Sequence, residues 1–191
     1  MPDKLYRTVL ADPPWNQKGA GKYKRGADRH YPLMKEAQIT QAMAETLKGR
    51  LAEDAHIYMW VTNNQLPEGL RIIETLGFRY ITNLAWAKTK FGLGRYFRGQ
   101  HELCLFGVKG QFLNVTKPVN NISSLLGRSL IKPGRHSEKP REMYDLIESR
   151  SHGPYLEMFA RSFRPNWDSW GYEAPDDSRI AQSPFLQGSA Q

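Results

Sequence analysis

Of the 191 residues only one, Cys104, is cysteine. A lone cysteine excludes an internal disulfide and any metal site built from several thiolates. Cys104 sits in an apolar, strand-like run, where a buried core position is its expected role. No apolar run approaches the roughly 20 residues needed to span a bilayer. Met1-Pro2-Asp3-Lys4 has no secretory apolar segment behind it. These absences together point to a reducing cytoplasm. Acidic residues are also in short supply: 19 against 27 lysines and arginines, for a formal net charge of +8. A basic surface suits nucleic acid, anionic lipid or acidic proteins. Hydrophobic residues at 40% and charged ones at 24% make an ordinary globular mixture, which excludes a disordered or membrane-embedded chain.

The basic charge is unevenly placed. Lys18, Lys22, Lys24, Arg25 and Arg29 crowd one glycine-containing stretch, and Lys132, Arg135, Lys139 and Arg141 another. Both read as loops. Around them strands and helices alternate. Strands are expected over Tyr6–Ala11, His56–Val61, Phe78–Ala87, Leu103–Val108, Tyr155–Ala160 and Asp168–Tyr172. Helices are expected over Gln38–Leu47, from Leu66 to a stop at Gly77, and from Pro140 to Ser149. Lys109-Gly110 suits a hairpin turn, and residues 113–137 read as loop. The alternation predicts an α/β fold in one domain, residues 1–173, with a mostly parallel sheet covered by helices on both faces. Residues 174–191 are expected to form a disordered tail. Ligands in such sheets bind outside the carboxyl ends of the strands. That places Asp12, Trp15 and the residues after Phe159 on one rim.

Asp12-Pro13-Pro14-Trp15, directly after a strand, is the sharpest chemical signal. An exocyclic ring amine is a poor nucleophile, because its lone pair is delocalised, but it carries two protons that acceptors can hold. Asp12 supplies a carboxylate. The prolines lack N–H groups, so the backbone offers carbonyls, with that of Pro13 as second acceptor. Two such bonds favour a more tetrahedral nitrogen, and the stiff Pro-Pro unit fixes the geometry. Trp15 offers a face on which a flipped or unpaired base can stack. The bland alternative is a rigid proline turn with a tryptophan packed on the rim.

Late in the chain, Leu156-Glu157-Met158-Phe159-Ala160-Arg161 runs from strand into turn. It contains no Gly-x-Gly, so the standard dinucleotide fingerprint is absent there. Trp167 to Glu173 follows as a second strand ending in an acid, the usual device for holding ribose hydroxyls. Read without function, these are two core strands and a surface glutamate.

Taken in order, these motifs resemble the MT-A70 family, named after the catalytic subunit of the mRNA adenosine methyltransferase. Asp12 to Trp15 is followed by Tyr58-Met59-Trp60-Val61-Thr62-Asn63, Trp86-Ala87-Lys88-Thr89 and Glu102 to Gly110. Ser137-Glu138-Lys139-Pro140, Leu156 to Arg161 and Arg164-Pro165-Asn166-Trp167 complete the set. The resemblance implies a Rossmann-like class I methyltransferase fold in permuted order, catalytic motif before cofactor motif, and S-adenosyl-L-methionine as cofactor. It places Asp12, Pro13, Pro14 and Trp15 at a target adenine, with Tyr31 beside the pocket. It assigns Lys139 to the cofactor's carboxylate. Phe159, Arg161, Phe163, Asn166, Tyr172 and Glu173 line the rest of the cofactor site. Phe163 replaces a polar residue, and Tyr172-Glu173 stand where some members carry Asn-Gln. Lys22, Lys24 and Arg25 of loop 16–30, Arg135 and His136 of loop 131–139, and Glu102 fall on the substrate side. The upstream strand whose acid holds the cofactor's adenine in some members has no counterpart before Asp12, so that ring is expected to be held otherwise.

The leading expectation is therefore an N6-adenine methyltransferase acting on DNA, with no metal. RNA methylation is the runner-up, since size and the lack of accessory domains favour DNA only moderately. A silent nucleic-acid-binding partner subunit is a third reading, which the intact Asp12 disfavours. Small-molecule methylation is a fourth, which the basic loops disfavour. Nucleic acid is the expected partner, membrane is not, and a homo- or heterodimer stays open.

Overall fold

The computed structural model describes residues 4–16, 33–92, 96–111, 116–118, 122–127 and 139–171. Among the described residues, seven strands form one sheet. They are β1 (Tyr6–Ala11), β2 (Leu51–Val61), β3 (Arg79–Ala87), β4 (His101–Lys109), β5 (Leu125–Leu126), β6 (Tyr155–Met158) and β7 (Trp167–Trp170). Their spatial order is β5-β3-β4-β2-β1-β6-β7. Only β4 runs against the rest: its pairings with β2 and β3 are antiparallel, and the other four are parallel. The mostly parallel sheet expected from the alternation of elements is the one observed.

In β1, Val9, Leu10 and Ala11 are all buried, the signature of a central strand with both faces covered. Two core clusters account for this. Val9, Ala11, Met59, Leu156 and Trp170 pack on one face, beneath α1 (Glu36–Leu47) and α2 (Leu66–Thr75). Leu10, Tyr58, Trp60, Cys104 and Trp167 pack on the other, beneath α3 (Glu142–Arg150). Ile39, Met43 and Leu47 form the buried stripe of α1, and Ile72 and Ile73 anchor α2. Gly69 lets α2 lie directly on β2, since a Cβ there would meet Val61 Cγ1 at 2.5 Å. Arg71 joins the two helices by donating Nε and a terminal nitrogen to the Glu36 carboxylate, each at 2.8 Å.

The ends of β3, β4, β7, α1 and α3 lie one or two residues from expectation, and four further departures bear on the fold. β2 starts at Leu51 because Tyr6 draws it into register across a bulge, despite the polar Glu53 and Asp54. β5 lies within 113–137, where two leucines give too little pattern to read. β6 stops at Met158, because Phe159 turns into the left-handed region at φ 62°. Lys109-Gly110 is no hairpin. β4 has its hairpin partner on the other side, in β3, and the Gln111 N–H after Gly110 donates to Asp54 Oδ1 at 2.6 Å.

The strand directions bring Ala11, Val61, Ala87, Met158 and Trp170 to one rim. The start of β4 joins them there, because it runs the opposite way.

Candidate active site at the carboxyl rim

The turn after β1 is held on both sides. Asp12 N–H donates to the Met158 carbonyl, Trp15 N–H to the Pro13 carbonyl at 2.9 Å, and Met34 N–H to the Pro14 carbonyl at 2.8 Å. Pro13 thus already accepts one hydrogen bond, and its second lone pair remains for another donor. Trp15 departs from its expected part. Its side chain is only 7% exposed, lies in the core beneath α1 and donates Nε1–H to the Trp60 carbonyl at 2.9 Å. An indole with a buried N–H needs such a partner. With its ring faces packed, Trp15 is a strut for the turn and not an open stacking surface.

On the other face of the sheet a chain of charge begins at Asp12. Lys139 Nζ donates to Asp12 Oδ1 and Oδ2, both at 2.7 Å, and stands 3.6 Å from Glu102 Oε2. Glu102 is paired in turn with Lys88. Lys139 also lies 5.6 Å above the Trp60 ring, and Lys88 4.9 Å from the Trp86 ring, while the two indoles meet edge to face. Burial works against the Lys139 charge, but Asp12 and Glu102 outweigh it and raise the ammonium's affinity for its proton. Burial likewise opposes the Glu102 charge, and Lys139 and Lys88 overcome it. Lys139 and Glu102 are thereby both favoured in their charged forms. Lys139 was expected at the cofactor's carboxylate; in the structure it meets Asp12.

Beside this chain stands Glu157 of β6. It accepts from the Tyr144 hydroxyl of α3 at 2.8 Å, and its Oε2 is buried without a partner among the described residues. Burial, helped by the nearby Asp12 charge and opposed by the Tyr144 bond, pushes the carboxyl up to about 7. Arg164 lies 4.6 Å over the Tyr144 ring.

Phe159 and Asn166 both take positive φ, 62° and 68°, at the turn after β6 and the turn into β7. A phenylalanine in the left-handed region is strained, and such outliers cluster at functional sites. Phe159 rests edge to face on Trp170. At Gly171 any side chain would strike the Ala160 backbone, so the turn after β6 and the end of β7 are pressed main chain to main chain. Arg161 is half-buried and Phe163 is 63% exposed at the same rim. Lys22, Lys24, Arg25, Tyr31, Arg135, His136, Tyr172 and Glu173 lie outside the described residues.

Asp12, Glu102, Lys139 and the 159–161 turn are thus brought together as the rim geometry requires. Sequence reading missed Glu157, Tyr144 and Lys88 as parts of the site. Glu157 did carry a signal, being an acid within an otherwise apolar strand one residue before its end. Lys88 stood in the Trp86-Ala87-Lys88-Thr89 motif without being singled out, and Tyr144 carried no signal that a linear pattern exposes.

Comparison with known proteins places the chain. The MT-A70 family model matches residues 6–173, nearly the whole described fold. The chain belongs to the MT-A70 family. Within it, the chain is 30% identical over 196 residues to the type II methyltransferase M.MunI of a Mycoplasma species, covering 93% of this chain and 81% of that protein. It is 27% identical to the MT-A70-like N(6)-adenosine-methyltransferase of Drosophila melanogaster and 27% identical to the human catalytic subunit METTL3. Each match covers 87% of this chain, but only 26% and 28% of those proteins. The chain is thus similar to relatives named as methyltransferases of two kinds. Among the described residues no helix is long and apolar enough to cross a membrane.

Proposed function

We propose that this protein is an S-adenosylmethionine-dependent N6-adenine methyltransferase acting on DNA, in a bacterial or phage cytoplasm. The observation that carries the reading is the Asp12 carboxylate, fixed by a Pro-Pro turn at the carboxyl rim and bound to the half-buried Lys139 cation. The donor set fits the cofactor. Lys139 suits a carboxylate, and the acids around it, Asp12 and Glu157, suit a zwitterion that also carries ammonium and sulfonium charge. When bound, the sulfonium supplies a methyl group activated for transfer, so the amine needs orientation more than a strong base.

The chain's own residues supply that orientation. Asp12 and the free lone pair of the Pro13 carbonyl accept the two amine protons and aim the nitrogen lone pair. Lys139 holds the Asp12 carboxylate in place. Trp15 locks the turn from below. The strained 159–161 turn and Arg161 form the ribose side, with Asn166, Tyr172 and Glu173 assigned to the same cofactor. The basic loops holding Lys22, Lys24, Arg25, Arg135 and His136 are assigned to the nucleic-acid backbone.

DNA is favoured because the likeness to the type II methyltransferase runs along 81% of that protein, against about a quarter of each adenosine methyltransferase. The second reading, RNA, is supported by the names of those longer relatives. Incubation with labelled S-adenosylmethionine and separate DNA and RNA pools, followed by identification of the modified nucleoside, decides between them. Labelled N6-methyladenine in RNA alone would replace DNA by RNA; label in neither would remove the activity.

A further inference from the structure

Lys139 Nζ lies 2.7 Å from each Asp12 oxygen and 3.6 Å from Glu102 Oε2. Equal distances put it on the midline of the Asp12 carboxylate, in front of both oxygens. Lys88 pairs with Glu102 as well, and the Trp60 ring lies 5.6 Å from the Lys139 ammonium. Charges of alternating sign, Asp12, Lys139, Glu102 and Lys88, thus follow one another across the rim.

This placement is a poor one for hydrogen bonding. An ammonium has three protons spread tetrahedrally, whereas the two oxygens of one carboxylate subtend a much narrower angle at the nitrogen. Both bonds to Asp12 are therefore bent, and bent bonds are weak. Two separate carboxylates suit the same nitrogen better, with one straight charge-assisted bond to each. The occupied edge of Asp12 is also the edge that a base amine would use. With Nζ on the midline, a second nitrogen cannot enter there, and the cation offsets the negative charge that would draw it.

We propose that Lys139 is a positioning residue that makes adenine recognition conditional on the cofactor. Given the methionine carboxylate as a second acceptor, Lys139 swings one N–H to it and keeps one on Asp12. That shift clears an Asp12 oxygen for an amine proton of the target base. The flexible four-carbon stem of the lysine allows the move without any change in backbone. This rests on the methyltransferase reading of the site and adds an order to it, cofactor carboxylate before base. The two ligands then strengthen each other by one common factor, since coupling between binding sites is reciprocal.

Binding, measured apart from methyl transfer, tests this. The probe is a fluorescent single strand of adenine nucleotides, made as DNA and as RNA because the base is what Lys139 controls. A thymine or uracil strand of equal length, whose bases carry no exocyclic amine, subtracts the contribution of the backbone. Saturating S-adenosylhomocysteine has the methionine carboxylate and no methyl group to transfer. It should raise the preference for adenine about tenfold, as one hydrogen bond to a charged group implies. 5′-Methylthioadenosine keeps the adenine, ribose and sulfur but has no carboxylate, and should leave the preference unchanged. In Lys139→Met the Asp12 edge stands open, so the preference should be high without ligand and indifferent to S-adenosylhomocysteine. The comparison of the two ligands needs only the parent protein, so it holds whatever the stability of the variant. Equal effects of the two ligands, no effect of either, or a variant that still answers to S-adenosylhomocysteine overturns the proposal. Coupling without methyl label in nucleic acid would sink the activity reading and leave the role of Lys139 standing; labelled adenine without coupling would do the reverse.

Discussion

Lys139 donates to both carboxylate oxygens of Asp12, at 2.7 Å each, across 127 residues of sequence. The pairing makes one unit of a lysine expected at the cofactor and an aspartate expected at the substrate. It also couples the loop after β1 to the segment that opens α3.

Asp12→Ala should reduce methyl transfer by on the order of a hundredfold or more, because one well-aimed acceptor is lost where the amine is oriented. S-adenosylmethionine should still bind, which calorimetry checks. Near-normal turnover would show that the carboxylate does not meet the target.

Lys139→Ala removes the partner of Asp12 together with the cation offered to the cofactor. Cofactor affinity should fall by roughly 1.5–3 kcal/mol, the range for a charge-assisted hydrogen bond. The rate at saturating cofactor should fall too, since Asp12 is released. Unchanged affinity with a lowered rate would confine Lys139 to positioning Asp12.

Trp15→Ala should act through stability. A buried tryptophan cut to alanine costs about 3–5 kcal/mol, and the Trp60 carbonyl loses its donor. Denaturant melts would show this. A variant of parental stability that binds DNA poorly would restore the stacking role.

His56 is fully buried between Ser151 Oγ at 2.7 Å and Thr116 Oγ1 at 3.3 Å, and burial, aided by Arg150 and Arg7, depresses its pKa to about 4. The folded value lies below the unfolded one of 6.5, so the unfolded chain binds the proton first. The His56 contribution to stability is complete above pH 6.5 and declines as pH falls towards 4, by up to about 3 kcal/mol. His56→Gln should flatten this part of the melting profile. A parental slope in the variant would assign the acid loss elsewhere.

Glu157 works in the opposite sense. Its folded pKa of about 7 exceeds the ordinary 4.5, so stability falls as pH rises from 4.5 through 7 and is constantly lower above that. Glu157→Gln removes the buried charge and should raise the melting temperature at pH 8 but not at pH 4.5. Equal shifts at both values would show that the carboxyl is not the titrating group.

Much of this was legible in the chain. Continuous apolar runs such as Val9-Leu10-Ala11 and helical stripes such as Ile39, Met43 and Leu47 determine strands and helices locally, because burial follows period. Their alternation determines the parallel sheet, and the sheet determines which rim carries Asp12. The Asp-Pro-Pro-Trp turn announced itself, because prolines remove donors and stiffen a backbone wherever they stand. Tertiary structure alone decided the rest. Which way the Trp15 ring points depends on α1 and the Trp60 carbonyl, not on its neighbours in sequence. The reversal of β4, which puts Glu102 at the rim, follows from strand pairing. The ionisation of Glu157 and Lys139 depends on how deeply each is buried and on which charge it meets. Those contacts are set by packing distant segments together, and no local pattern encodes them.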